Sequence, residues 1–332
     1  MPTPSLKTAV FLTGAAARIS QEVALLDQLM AQKGLTLSQD QTLLAGFSSG
    51  SLNLAAINAC FSKGSKLGWD KYYKQSVLFP LRNSQVYKVK LLPFDTNPLR
   101  DTVTTFVKNM NCQWMGDLPF HSYILTFSWK EMETLWACSR DDNQKAINLV
   151  DMFMASTAIP VLFPSQEIHC QPGKTSNFPD GRFADGGTGG TFKQFEHYLG
   201  TYVAANGPFD KLYIISPMRE KADKESRLMK AFLKAEHKGG IDFAKLDDHL
   251  GNISLNTFLK FCERLNNWSF NGKPMANEIY VSIPQMKRNF NILNFNRQQK
   301  QYETVGQWIK DHPEKLAIPI QEYLDEHKEE LA

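Results

Sequence analysis

Residues 42–50 read Thr-Leu-Leu-Ala-Gly-Phe-Ser-Ser-Gly, an apolar run that stops at a serine held between two glycines. The chain then restarts with helical spacing at Leu52, Ala55, Ala56 and Ala59. A short buried-strand pattern feeding straight into a helix leaves little choice of fold. The two elements must turn back on one another within a few residues, and only small flanks allow that without a Cβ clash. Gly46 and Gly50 supply those flanks, and Ser48 sits at the apex. This is the pattern of a nucleophile elbow, which lifts a serine hydroxyl onto an exposed, strained turn with the positive end of the next helix beside it. The same residues also suit an ordinary glycine-rich strand-to-helix turn.

The alternation extends to both sides of the elbow. Thr8 to Thr13 reads as a strand closed by Gly14, and Ile19, Val23, Leu26 and Met30 share one helical face before Gly34 ends the helix. A βαβα opening implies a mostly parallel central sheet flanked by helices, an α/β fold with its reactive groups at the carboxyl ends of the strands. From about 64 to 148 the chain is rich in aromatics and prolines, and it predicts strands at Ser122–Phe127 and near Thr134–Ser139 within a mixture of helices and sheet edge.

Composition excludes several classes. With 332 residues and 42% hydrophobic content the chain can bury a sizeable core. A net charge of +3, from 37 basic and 34 acidic residues spread along the chain, builds no field that would select nucleic acid. Cys60, Cys112, Cys138, Cys170 and Cys262 are odd in number, widely spaced and form no CxxC pair, so they read as free thiols and not as a disulfide scaffold or zinc site. The N-terminus has no basic start followed by an apolar core, and no stretch is long enough to span a bilayer. A soluble protein is expected, cytoplasmic or exported without a recognisable signal peptide.

A second informative stretch is Met152–Pro164, Met-Phe-Met-Ala-Ser-Thr-Ala-Ile-Pro-Val-Leu-Phe-Pro, followed by Arg182-Phe-Ala-Asp-Gly-Gly. Pro160 should break a helix there. Asp185 is presented where the chain bends over Gly186 and Gly187, a setting in which an aspartate commonly accepts hydrogen bonds from its own turn.

Taken in order, the glycine loop after the first strand, the GxSxG elbow, the Ala-Ser-Thr-Ala-Ile-Pro helix end and the Asp-Gly-Gly turn resemble the patatin-like phospholipases. The resemblance runs by motif from Thr8 to about Ile215, and more loosely to the strand-like segment from Glu278 and the amphipathic segment Asn296–Lys310. It implies a three-layer patatin-like fold in which residues 1–312 form the acyl hydrolase domain and 313–332 an acidic helical tail. It also implies acyl transfer on lipid esters by a serine–aspartate dyad without histidine, metal or organic cofactor. Carried over by position, Ser48 matches the nucleophile and Asp185 the base. Gly14, Ala15, Ala16 and Arg18 fall in the oxyanion loop, and Ser49 supplies the amide after the nucleophile. The implied partner is a phospholipid or other fatty acyl ester, with peripheral membrane contact and an activating protein as further expectations; nucleic acid is not among them.

This chain departs from the family's GGGxRG loop, reading Gly14-Ala-Ala-Ala-Arg18-Ile19, and from its Asn-Pro after the Asp-Gly-Gly turn, reading Thr188-Gly-Gly-Thr. Alanine keeps the amide donors, but a Cβ at a left-handed position costs about 1 kcal/mol or more. For Arg18, pairing that holds the loop is the favoured role over contact with a substrate phosphate. A catalytically impaired or partner-activated binding module therefore stands as an alternative.

A Ser-Asp-His hydrolase is the other rival, and it needs a histidine downstream of the acid. His197, His237, His249, His312 and His327 are available, none after a strand with an obvious loop. Two stretches are candidates for lipid contact: the basic, amphipathic run Arg219–His237, which equally suits a solvated helix covering the sheet, and the proline-interrupted segments starting at Leu78 and Leu91 as a lid or acyl groove, with core loop as the default for both.

Overall fold

A computed structural model describes residues 6–89, 91–188, 191–217, 255–284, 290 and 293–331. Strand β1 (Thr8–Leu12) lies between β2 (Thr42–Gly46) and β6 (Phe209–Ile215), parallel to both. β2 continues the parallel array to β3 (His121–Ser128), and β6 continues it to β9 (Ala276–Ser282). Antiparallel strands close the two edges, β4 (Glu133–Cys138) on β3 and β10 (Ile318–Pro319) on β9. β5 (Phe183–Asp185) also pairs antiparallel with β3, while β7 (Ser269–Phe270) and β8 (Lys273–Pro274) form a separate small hairpin. The mixed α/β architecture with a central, mostly parallel sheet is thus the one the alternation implies.

The strands are nearly all apolar, as strands covered on both faces must be. In β1 and β2, Val10, Leu12 and Leu44 join one core, and Ala9, Phe11, Leu43 and Ala45 join the other. The first core is roofed by α1 (Ile19–Gln32), α2 (Ser49–Phe61), α3 (Asn97–Asn109), α4 (Leu149–Ser156) and, after α5 (Thr191–Asn206) and α6 (Leu255–Asn267), by α7 (Gln298–Asp311). The second takes residues from α5, α6 and α8 (Ile320–Glu326). Period-two alternation in the strands therefore produces three layers.

Between α2 and α3 the residues Trp69–Leu78 form a π-helix, whose last turn is closed by Phe79 N–H donating to Lys74 O at 2.9 Å. Its Tyr73 and Leu78 are buried against Ile19, Val23 and Ala56, so the apolar segment at Leu78 is core. The segment from Pro313 is tied to the sheet by β10, and Ile320, Tyr323 and Leu324 enter the second core. Among the described residues, no helix is long and apolar enough to cross a membrane. The basic run Arg219–His237 lies outside the described residues, as does His249.

Candidate active site

One lane of the sheet contains two strands end to end. β4 occupies one edge of β3 from Tyr123 to Ser128, leaving the other edge to β2 and β5. β2 climbs beside β3 and stops at Gly46, opposite Ile124; β5 descends and stops at Asp185, opposite Thr126. Their carboxyl ends face each other across Leu125. The approach is close enough that a Cβ on Gly186 would lie 2.6 Å from the Leu125 carbonyl oxygen and 2.8 Å from Phe47 Cβ.

Ser48 leaves the end of β2 at φ +52°, ψ −138°, a strained conformation for a non-glycine residue. Its amide donates to Ser156 O at 3.0 Å and to Ser156 Oγ at 3.2 Å, and Ser51 Oγ donates to its carbonyl at 2.7 Å, so the end of α4 and the first turn of α2 fix the elbow. A Cβ on Gly50 would fall on the Leu12 carbonyl oxygen, and one on Gly46 would come within 3.0 Å of the Gly50 carbonyl oxygen. Gly50 is therefore required by close approach of backbone to backbone, and a side chain at Gly46 would push its neighbours by a few tenths of an ångström.

Asp185 is held from both sides. Its amide donates to Ala158 O at 2.9 Å, just past the end of α4, and Oδ1 accepts Gly187 N–H at 2.8 Å. α4 ends at Ser156 and Thr157 Oγ1 donates to Phe153 O at 2.9 Å; the chain then turns ahead of Pro160 and offers the Ala158 carbonyl to β5. Oδ2 is buried with no well-aligned hydrogen bond among the described residues. The carboxyl is pushed up to about 6 by burial, opposed first by the Gly187 amide and then by the neighbouring Ser48 hydroxyl. Ser48 thus lies beside the group, yet the pair does not close a hydrogen bond of good geometry, as is common in unliganded sites. Asp185 makes the local turn bond expected of Asp-Gly and also faces the serine.

The loop after β1 carries two left-handed residues, Gly14 at φ +63° and Ala16 at φ +48°. At Gly14 a Cβ would sit 2.5 Å from Gly50 N and 2.9 Å from Ser49 N, so the glycine keeps open the space around the first amide of α2. At Ala16 the Cβ costs about 1 kcal/mol. Gly14 N–H donates to Glu22 Oε1 at 2.9 Å and Ala15 N–H to Ser49 Oγ at 3.0 Å, whereas the amides of Ala16 and Ser49 have no hydrogen-bond partner among the described residues. Arg18 is 4% exposed; its Nε donates to Phe290 O at 3.0 Å, and burial lowers its pKa to about 10.

Several contributors escaped the sequence reading: Glu22, Asn53, Ser156 and the Ala158 carbonyl. Glu22 did carry a signal, since a glutamate three residues after Ile19 and four before Leu26 falls inside the apolar stripe of α1. Its carboxyl is pushed up to about 7 by burial, against the opposing bonds from Asn53 and Gly14.

A cavity of ≈ 290 Å³ is lined among others by Pro93, Trp129, Ala158, Phe163, Ala184 and the charged Arg182, with neither Ser48 nor Asp185 in its lining. Val161 has φ +68°, unusual for a β-branched residue. Leu91, two residues before Pro93, is 91% exposed, so of the two proline segments the second borders a cavity. The described histidines pair elsewhere: His169 Nδ1 is 2.7 Å from Asp151 Oδ2, His197 packs on Tyr198, His312 Nδ1 is 2.9 Å from Trp308 O, and His327 packs on Tyr323. Among the described residues, no group of three His, Cys, Asp or Glu side chains forms a metal-ligand set, and the five cysteines are free thiols.

No family model matches the chain, and no curated protein matches it. Among solved structures it is similar to VipD from Legionella pneumophila, with 11% identity and a TM-score of 0.34 over 91% of this chain and 67% of that one.

Proposed function

We propose that this chain is a patatin-like serine acyl hydrolase of the phospholipase A type, acting on fatty acyl esters through Ser48 and Asp185. The observation that carries the proposal is the buried carboxyl of Asp185 with the Ser48 hydroxyl as its neighbour, where β2 and β5 meet end to end. A buried carboxyl of raised pKa beside a serine hydroxyl is placed to receive the proton of the nucleophile.

Ser48 Oγ attacks the ester carbonyl as its proton passes to Asp185 Oδ2. A carboxylate whose pKa lies near 6 is ionised at neutral pH and basic enough to accept that proton in a dry site. The tetrahedral oxygen gains a negative charge at the N-terminus of α2, where the Ser49 and Ala16 amides are the available donors; one such donor is worth about 3 kcal/mol. Collapse expels the alcohol, which takes the proton from Asp185, and leaves Ser48 acylated. Water then attacks the acyl-enzyme with Asp185 as base and releases the fatty acid.

The Gly14 and Ala15 amides favour a second reading, because both are already engaged by Glu22 and Ser49. Under it the hole is latent until a partner reshapes the loop. Labelling by a fluorophosphonate probe, with and without cell extract, separates the two. The purified protein is expected to be labelled at Ser48 and to release fatty acid from phospholipid vesicles or p-nitrophenyl esters, and Ser48→Ala and Asp185→Asn each to abolish release with the fold intact. Full activity in Asp185→Asn refutes the dyad, and labelling only with extract supports the latent form.

A further inference from the structure

Glu22 is fully buried in the first turn of α1, and among the described residues no ion pair reaches it. It is a two-sided acceptor. Oε1 takes the Gly14 amide at 2.9 Å, and Oε2 takes Asn53 Nδ2 at 2.6 Å from the elbow helix α2. Asn53 cannot turn its amide over. Its Nδ2 also donates to Ile19 O at 3.1 Å, and its Oδ1 accepts the Tyr73 hydroxyl at 2.5 Å from the π-helix. Donors therefore face Glu22 from both sides, and a carboxylate presents an acceptor to each, whereas the isosteric glutamine must turn its own NH₂ toward one of them.

The loop so held is not relaxed. Ala16 is left-handed, a state that persists in a non-glycine residue only where the surroundings over-determine it. The bonds that fix its neighbours are Gly14 to Glu22 and Ala15 to Ser49.

We propose that Glu22 is the positioning residue of the oxyanion loop, its carboxylate clamping Gly14 to Asn53 of the elbow helix and so holding the Gly14–Ala16 turn against Ser48 despite alanine at position 16. The clamp acts through backbone amides and touches no substrate. Its importance for turnover rests on the hydrolase reading above; its existence does not. The described titratable group that interacts with Glu22 is Tyr73, whose own pKa burial raises well above the ordinary value. Both donors are satisfied when Glu22 is ionised, so the clamp tightens as pH rises through about 7 and loosens below it.

Four measurements test the clamp. In Glu22→Gln, with fold checked by near-UV circular dichroism, kcat falls on the order of 10²-fold with KM within about two-fold, the scale of a misplaced oxyanion donor. The acid limb of its pH profile then reports one group near 6, where the wild type reports two. Adding Ala16→Gly recovers part of the lost kcat, since the loop no longer needs forcing; a purely structural role for Glu22 predicts no such rescue. The fourth measurement needs no activity. The Gly14 amide proton shift of the wild type titrates with a midpoint near 7, and in Glu22→Gln it does not. Unchanged kcat and pH profile in Glu22→Gln, or a flat Gly14 titration in the wild type, overturns the clamp. A wild type that is neither labelled nor active refutes the hydrolase reading, and the Gly14 titration then decides the clamp by itself.

Discussion

Two carboxyls sealed from water define the residue scale here, Asp185 beside the serine and Glu22 behind the loop. For Asp185 the folded pKa is raised, from 3.8 to about 6, so its stabilising contribution is complete below pH 3.8 and is lost as pH rises through about 6. Asparagine at that position keeps an acceptor for Gly187 and never ionises. Asp185→Asn is therefore expected to match the wild type in stability near pH 3.5 and to exceed it by about 2–3 kcal/mol at pH 8, measured by urea unfolding, while remaining inactive throughout. A wild type that is the more stable protein at pH 8 would show that the buried carboxylate is compensated. Asp185 was legible in the sequence because its Asp-Gly-Gly turn is local. Its place beside Ser48 was not, since that depends on the pairing of β5 with β3 and on the Ala158 carbonyl that takes its amide, all more than twenty residues away.

At the scale of elements, the elbow and the oxyanion loop are one object. Gly50 meets the Leu12 carbonyl and Gly14 N, and Gly14 meets Gly50 N in return, so the start of α2 and the end of β1 are packed backbone on backbone. Gly50→Ala must separate them; it should lower stability by about 2 kcal/mol or more and abolish labelling of Ser48, as followed by thermal melting and probe incorporation. Ala16→Gly runs the other way. By relieving the left-handed alanine it should raise stability by about 1 kcal/mol, and unchanged or lower stability would mean that the loop is not strained there. The spacing of the apolar residues was enough to place α1, α2, β1 and β2, because those elements alternate cleanly between period two and period 3.6. It was not enough for Trp69–Leu78, where wide π turns replace the regular helical period and aromatic packing on α1 and α2 decides the geometry.

The whole molecule decides which chain segments meet. The acidic segment beyond Pro313 closes the sheet through β10 and buries Ile318, Tyr323 and Leu324. Removal of residues 313–332 is accordingly expected to leave protein that is insoluble or melts well below the full chain, and a truncated protein that melts like the full chain would mean the segment contributes no core. By itself the sequence determined the alternation of strands and helices, the strained serine turn and the Asp-Gly-Gly bend, because each is set by sterics and spacing within about a dozen residues. Tertiary structure alone decided that β2 and β5 share one edge of β3 and run head to head. That placement brings Ser48 to Asp185 across 137 residues of chain, and it follows from β4 occupying the other edge of β3, a pairing that no local pattern encodes.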